Sequence, residues 1–109
     1  MAYKHINKAQ DFVNMWTTYL KLPMLFVIIG DKHSQGKKGA ICVSASTIIL
    51  WKENILNRKQ FVRVLLHEIG HWFWYYYKRH YEYKDESRVI EFTNFLIKEF
   101  YPSYTRRYR

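Results

Sequence analysis

The stretch LLHEIGHWFWYYYKRH, residues 65–80, sets two histidines four positions apart with a glutamate directly after the first. Six aromatic residues, Trp72 to Tyr77, then follow in a row. Residues four apart on a helix lie one turn above each other on one face, so a helix here would aim His67 and His71 at a common point. Just upstream, Asn57 and Gln60 stand at capping-box spacing before the apolar run FVRVLL. That pattern predicts a helix starting near residue 58 and running to about residue 78. Within it Gly70 costs roughly 1 kcal/mol relative to alanine, a cost that a close approach by another backbone would explain. The aromatic run covers all sides of the helix and is expected to be mainly core, with part of it available as an interface.

Working outward, HINKAQDFVNMWTTYLKL (residues 5–22) carries apolar residues at helical spacing and predicts a helix that Pro23 terminates. MLFVIIG, bounded by Pro23 and Gly30, reads as a buried strand. DKHSQGKKG reads as a surface loop. AICVSAS and TIILW suit strands, either as one bent strand or as two paired ones. Beyond the histidine helix, KRHYEYKD is a short polar connection, so the next helix should pack as a close neighbour. Asp85 or Ser87 can cap that helix. Val89, Phe92, Leu96 and Phe100 repeat at helical spacing, and Pro102 stops it. A basic tail from about residue 102 is expected to fray. The 109 residues allow one core and show no repeat or linker, so residues 1–109 are read as one α+β domain: an N-terminal helix, a sheet of about three strands, and two helices grouped against it.

Composition narrows the function classes. With 49% apolar residues the chain is not a disordered tail. The balance of 18 basic against 9 acidic residues gives +9, a surface that either attracts phosphates, nucleic acid or acidic protein faces, or keeps an aromatic-rich chain soluble. Cys42 is the single cysteine, so no internal disulfide framework exists, consistent with a reducing compartment. The N-terminus has no apolar signal-peptide region, and no apolar stretch is long enough to span a membrane. A cytoplasmic location without membrane association is the expectation.

His67-Glu68-Ile69-Gly70-His71 fits the His-Glu-x-x-His pattern. In such sites the histidines hold Zn2+ and the glutamate acts as general base toward a zinc-activated water. A catalytic zinc takes a third protein ligand. Tyr77 and Trp74 stand where one class of these sites needs a third histidine and a glycine, which excludes that class. A carboxylate from the next helix remains. On a helical wheel Glu86 falls inside the apolar arc of Phe92, Leu96, Val89, Phe100, Ile97 and Ile90, whereas Glu91 falls on the polar side. A carboxylate on a buried face is costly unless paired or metal-bound, which ranks Glu86 ahead of Glu91. A first-turn position near solvent would also suit an acid.

VRVLLHEIGHWFW followed by DESRVIEFTNFLIKEF resembles the ImmA/IrrE-type zinc metallopeptidases, which are small gluzincins. The resemblance covers roughly residues 40 to 102. Ile90 stands where the family has asparagine, and Thr93 where it has alanine. It implies a minimal zincin-like domain, with Glu86 as third zinc ligand and Glu68 as base. It also implies a protein substrate of the repressor type and an origin in phages or mobile elements. TIILW is the strand expected along the cleft, holding an extended peptide by strand addition. Tyr75, His80, Tyr81 and Tyr83 are the candidates for an oxyanion donor. The competing reading is a zinc-stabilised, non-catalytic module gripping nucleic acid or an acidic protein through GKK, NRK, KRH and TRRYR. Glu68 discriminates, because a structural zinc site needs no general base.

Overall fold

The computed structural model describes residues 2–78 and 86–104. A 3-10 turn, Ile6–Lys8, leads into α1 (Ala9–Tyr19); β1 (Phe26–Gly30), β2 (Gly39–Cys42) and β3 (Thr47–Trp51) follow; α2 (Arg58–Lys78) and α3 (Glu86–Phe100) complete the order. The architecture is α+β, with a three-stranded mixed sheet ordered β1-β3-β2. β1 pairs parallel with β3, and β2 pairs antiparallel with β3. AICVSAS and TIILW are therefore two paired strands joined through a tight turn in which Ser46 has φ 51. None of the described helices is long and apolar enough to cross a membrane.

β3 alternates cleanly: Ile48 and Leu50 are buried, and Thr47, Ile49 and Trp51 are half-buried on the other face. Register places Val27, Ile29, Gly39 and Ile41 on the same face as Ile48 and Leu50. That face meets α2, whose Phe61, Val62, Leu65, Leu66, Ile69 and Trp72 are buried. Val13 and Trp16 of α1 and Leu96 and Ile97 of α3 close the same core.

The start of α2 follows its sequence signal. Asn57 Oδ1 accepts a bond from the Gln60 N–H at 2.9 Å, and Gln60 Oε1 accepts one from the Leu56 N–H at 2.8 Å. Two orphan amides are thus satisfied reciprocally. α1 ends earlier than Pro23 would require. Leu22 N–H bonds to the Thr17 carbonyl and Lys21 N–H to the Thr18 carbonyl, with Lys21 at φ 57. This is a left-handed helix stop of the kind glycine usually occupies, here carried by a lysine.

Two packing expectations need correction. MLFVIIG is not a buried strand: Leu25 is buried, but Phe26 and Ile28 of β1 are exposed on the face away from the helices. Strand propensity reports a pleated fit, not two-sided burial. The Gln10 side chain of α1 covers part of the β1 edge, donating from Nε2 to the Leu25 carbonyl and accepting at Oε1 from the Val27 N–H, both at 2.8 Å. The aromatic run is not mainly core either. Only Trp72 is buried; Phe73, Trp74 and Tyr75 are half-buried, and Tyr76 and Tyr77 are exposed. Its polar atoms tether the α1–β1 connection. Trp72 Nε1 donates to the Pro23 carbonyl at 2.9 Å, and the Tyr77 hydroxyl lies 3.0 Å from the Leu20 carbonyl and 2.8 Å from that of Lys21.

Candidate metal centre

α2 is a single unbroken helix through the motif, so His67 and His71 stack one turn apart, with ring centroids 4.9 Å apart and planes at 84°. Their Nε2 atoms converge on one carboxylate from the next helix. His67 Nε2 lies 3.1 Å from Glu86 Oε1, and His71 Nε2 lies 3.0 Å from Glu86 Oε2. The three donor side chains each offer an atom within 4.8 Å of the others, the one group of this kind among the described residues. A tetrahedral zinc with bonds of about 2.0–2.1 Å sets its ligand atoms about 3.4 Å apart; the two gaps to Glu86 are shorter than this, at hydrogen-bond length, and the three donors fall within 4.8 Å of one another. The two-imidazole, one-carboxylate donor set suits a borderline divalent ion.

Glu86 reaches this place because the helices pack closely at Gly70. A Cβ built there would stand 3.1 Å from Val89 Cγ1 and 3.4 Å from both Phe92 Cδ2 and Thr93 Oγ1. Thr93 is buried, its hydroxyl donating to the Val89 carbonyl at 2.8 Å. The close neighbours at Gly70 are side chains of α3 and not, as expected, another backbone: the Cα–H of Gly70 makes room for Val89. Glu86 does not lie on the buried face that the helical wheel predicts: its side chain is 61% exposed and sits in the first turn of α3. Of the apolar arc, Val89, Leu96 and Ile97 are buried, but Ile90 and Phe100 are exposed. Glu91 is also exposed and stands outside the ligand group. Glu82, Asp85, His80, Tyr81 and Tyr83 lie outside the described residues. Tyr75 stacks on Trp72 at 5.6 Å and packs against the core, away from the described lining of the metal cleft.

Glu68 is 6% exposed and lines the same cleft as the three donors without belonging to their group. Burial, helped by the nearby Glu86 charge and opposed by Lys37, pushes its carboxyl up to about 7. Burial likewise holds His67 below its ordinary value; neighbouring His71 adds to this and Glu86 opposes it. A neutral imidazole is the form that ligates a metal, so this shift favours ligation.

The cleft, about 580 Å³, has Glu68 and the donors on one side and Gly39, Ala40 and Ile41 on the other. β3 is the central strand and has no free edge, so TIILW does not offer the strand-addition edge expected of it. That edge belongs to β2. The Lys38 carbonyl accepts from the Trp51 N–H, so Lys38, Ala40 and Cys42 bond towards β3. The main-chain groups of Gly39 and Ile41 then face outward along the cleft. Sequence gave no signal for this choice, because it depends on which strand is central.

No protein-family model, curated protein or solved structure matches the chain.

Proposed function

We propose that this chain is a zinc-dependent metallopeptidase of the gluzincin type, as the resemblance to ImmA/IrrE-type enzymes implies. The observation that carries the reading is the convergence of His67, His71 and Glu86 from two helices, beside a buried carboxylate that is not itself a donor. His67, His71 and Glu86 would hold the metal. A zinc held there would supply a water of lowered pKa and polarise a carbonyl. Glu68, buried in the same cleft and not itself a donor, would take the proton of the attacking water and return it to the leaving amine. The outward main-chain groups of Gly39 and Ile41 would bond an extended substrate as an added strand, a mode that recognises backbone and so suits a peptide. A protein of the repressor type is the substrate implied by the resemblance.

The test is metal analysis of the purified protein beside Glu68→Gln, Glu86→Gln and Glu91→Gln, followed by incubation of the zinc-loaded forms with a denatured protein. About one zinc per chain is expected in the wild type, in Glu68→Gln and in Glu91→Gln, with weakened binding in Glu86→Gln. Cleavage is expected from the wild type and not from Glu68→Gln. A folded protein that takes up no zinc refutes the metal centre. Zinc binding without cleavage of any substrate leaves the non-catalytic module as the better reading.

A further inference from the structure

The metal cleft continues past His67 into a second cavity of about 440 Å³ between α2 and α3; Lys38, Val64 and His67 line both. Val64 and Ile90 give this cavity apolar walls, and Arg63 and Lys38 give it two positive charges. No described carboxylate lines it, and neither cation forms an ion pair among the described residues. Arg63 lies one turn before His67. Its Nη1 donates to Asn94 Oδ1 at 3.0 Å, so its partner on α3 is a neutral acceptor, and no described carboxylate pairs with it. A guanidinium beside apolar walls, one helical turn from the candidate donor His67, matches a short aliphatic stem that ends in a carboxylate.

We propose that this cavity is a specificity subsite that selects a glutamate or aspartate side chain in the residue next to the bond presented to the metal group. The proposal rests on the peptidase reading above. Arg63 is the principal specificity residue, Asn94 its positioning residue, and Lys38 the second cation at the junction with the cleft. A nucleic-acid phosphate would satisfy the cations but would leave the walls of Val64 and Ile90 unused.

Peptide hydroxamates test this by binding, without turnover. Each carries a metal-binding hydroxamate and one variable residue, placed after it in one series and before it in the other; the variable residue is glutamate, glutamine, leucine or lysine. Affinity is read by calorimetry on the zinc-loaded protein. In one series the glutamate compound is expected to bind about tenfold tighter than its isosteric glutamine compound, with lysine weakest. Arg63→Met should reduce the glutamate preference to about twofold or less, and Lys38→Met should reduce it partly. The wild-type ratio needs no variant to fold. Glutamine or leucine binding as tightly as glutamate in both series overturns the subsite and leaves the peptidase reading intact. Failure of every hydroxamate to bind a protein shown to hold zinc overturns both.

Discussion

A side chain at position 70 would meet Val89 at 3.1 Å, and Val89 lies less than one helical turn after Glu86. The spacing of α2 and α3 at this contact therefore sets where the Glu86 carboxylate stands relative to the two imidazoles.

Gly70→Ala separates fold from site. Alanine gains roughly 1 kcal/mol of helix propensity, and crowding against Val89 and Thr93 offsets a similar amount. Chemical denaturation of the metal-free variant should differ from wild type by less than about 1 kcal/mol. Zinc affinity should fall about tenfold as α3 is displaced, equivalent to about 1.4 kcal/mol. A variant that keeps wild-type zinc affinity would show that α3 yields without moving Glu86.

Glu68 makes the metal-free protein pH-sensitive. Its carboxyl lies near 4.5 when unfolded and about 7 when folded, so the folded chain holds the proton more tightly. Below pH 4.5 both states are protonated and the group contributes nothing. As pH rises to 7 the unfolded state gains the advantage of ionising, and stability falls by up to about 3 kcal/mol, then levels. Comparing metal-free wild type with Glu68→Gln cancels the contributions of other groups. The variant should gain on the wild type between pH 4.5 and 7; a constant difference across that window would contradict a buried, proton-holding Glu68.

Metal binding should staple α2 to α3. A ligand at one hundred times its Kd stabilises the folded state by about 2.7 kcal/mol. For a chain of this size that is a rise in Tm of roughly 10–20 °C. The rise should be full in Glu68→Gln, reduced in Glu86→Gln, and reversed by a chelator in differential scanning calorimetry. An equal rise in Glu86→Gln would place the third ligand elsewhere.

The α1 stop offers a test independent of the metal. Lys21 holds φ 57 with a full side chain, so Lys21→Gly should stabilise by about 0.5–1 kcal/mol. Tyr77→Phe removes the hydroxyl that meets the Leu20 and Lys21 carbonyls and should cost about 0.5–1 kcal/mol. Thermal melts that move the other way would show that the turn is held by something other than these groups.

The parts of the structure legible in the sequence were those fixed locally. α2 starts at Arg58 as its cap predicts and is helical through Lys78, the last residue described before residue 86, and the histidine pair follows from helix geometry alone. The cost of Gly70 points to an approaching backbone, whereas the nearest atoms are side chains of Val89, Phe92 and Thr93. The helical wheel places Glu86 in the apolar arc, but a wheel gives direction and not depth, and the first turn of α3 lies at the surface. Strand order was illegible. FVIIG and TIILW are both apolar, and only the parallel pairing of β1 with β3 makes one an edge and the other the centre. The cavity beside Arg63 had no sequence signal, since Asn94 on another helix positions the guanidinium.

The Gln10 amide has a further consequence. A carboxamide presents the same donor and acceptor as a peptide bond, so Gln10 acts as a one-residue substitute for a neighbouring strand along β1. One flank of the sheet is thereby partly sealed against growth, while the β2 flank keeps its main-chain groups turned to the cleft. Under the proposed function, an extended substrate would then find its open main-chain groups on the flank beside His67, His71 and Glu86, and fewer of them along β1.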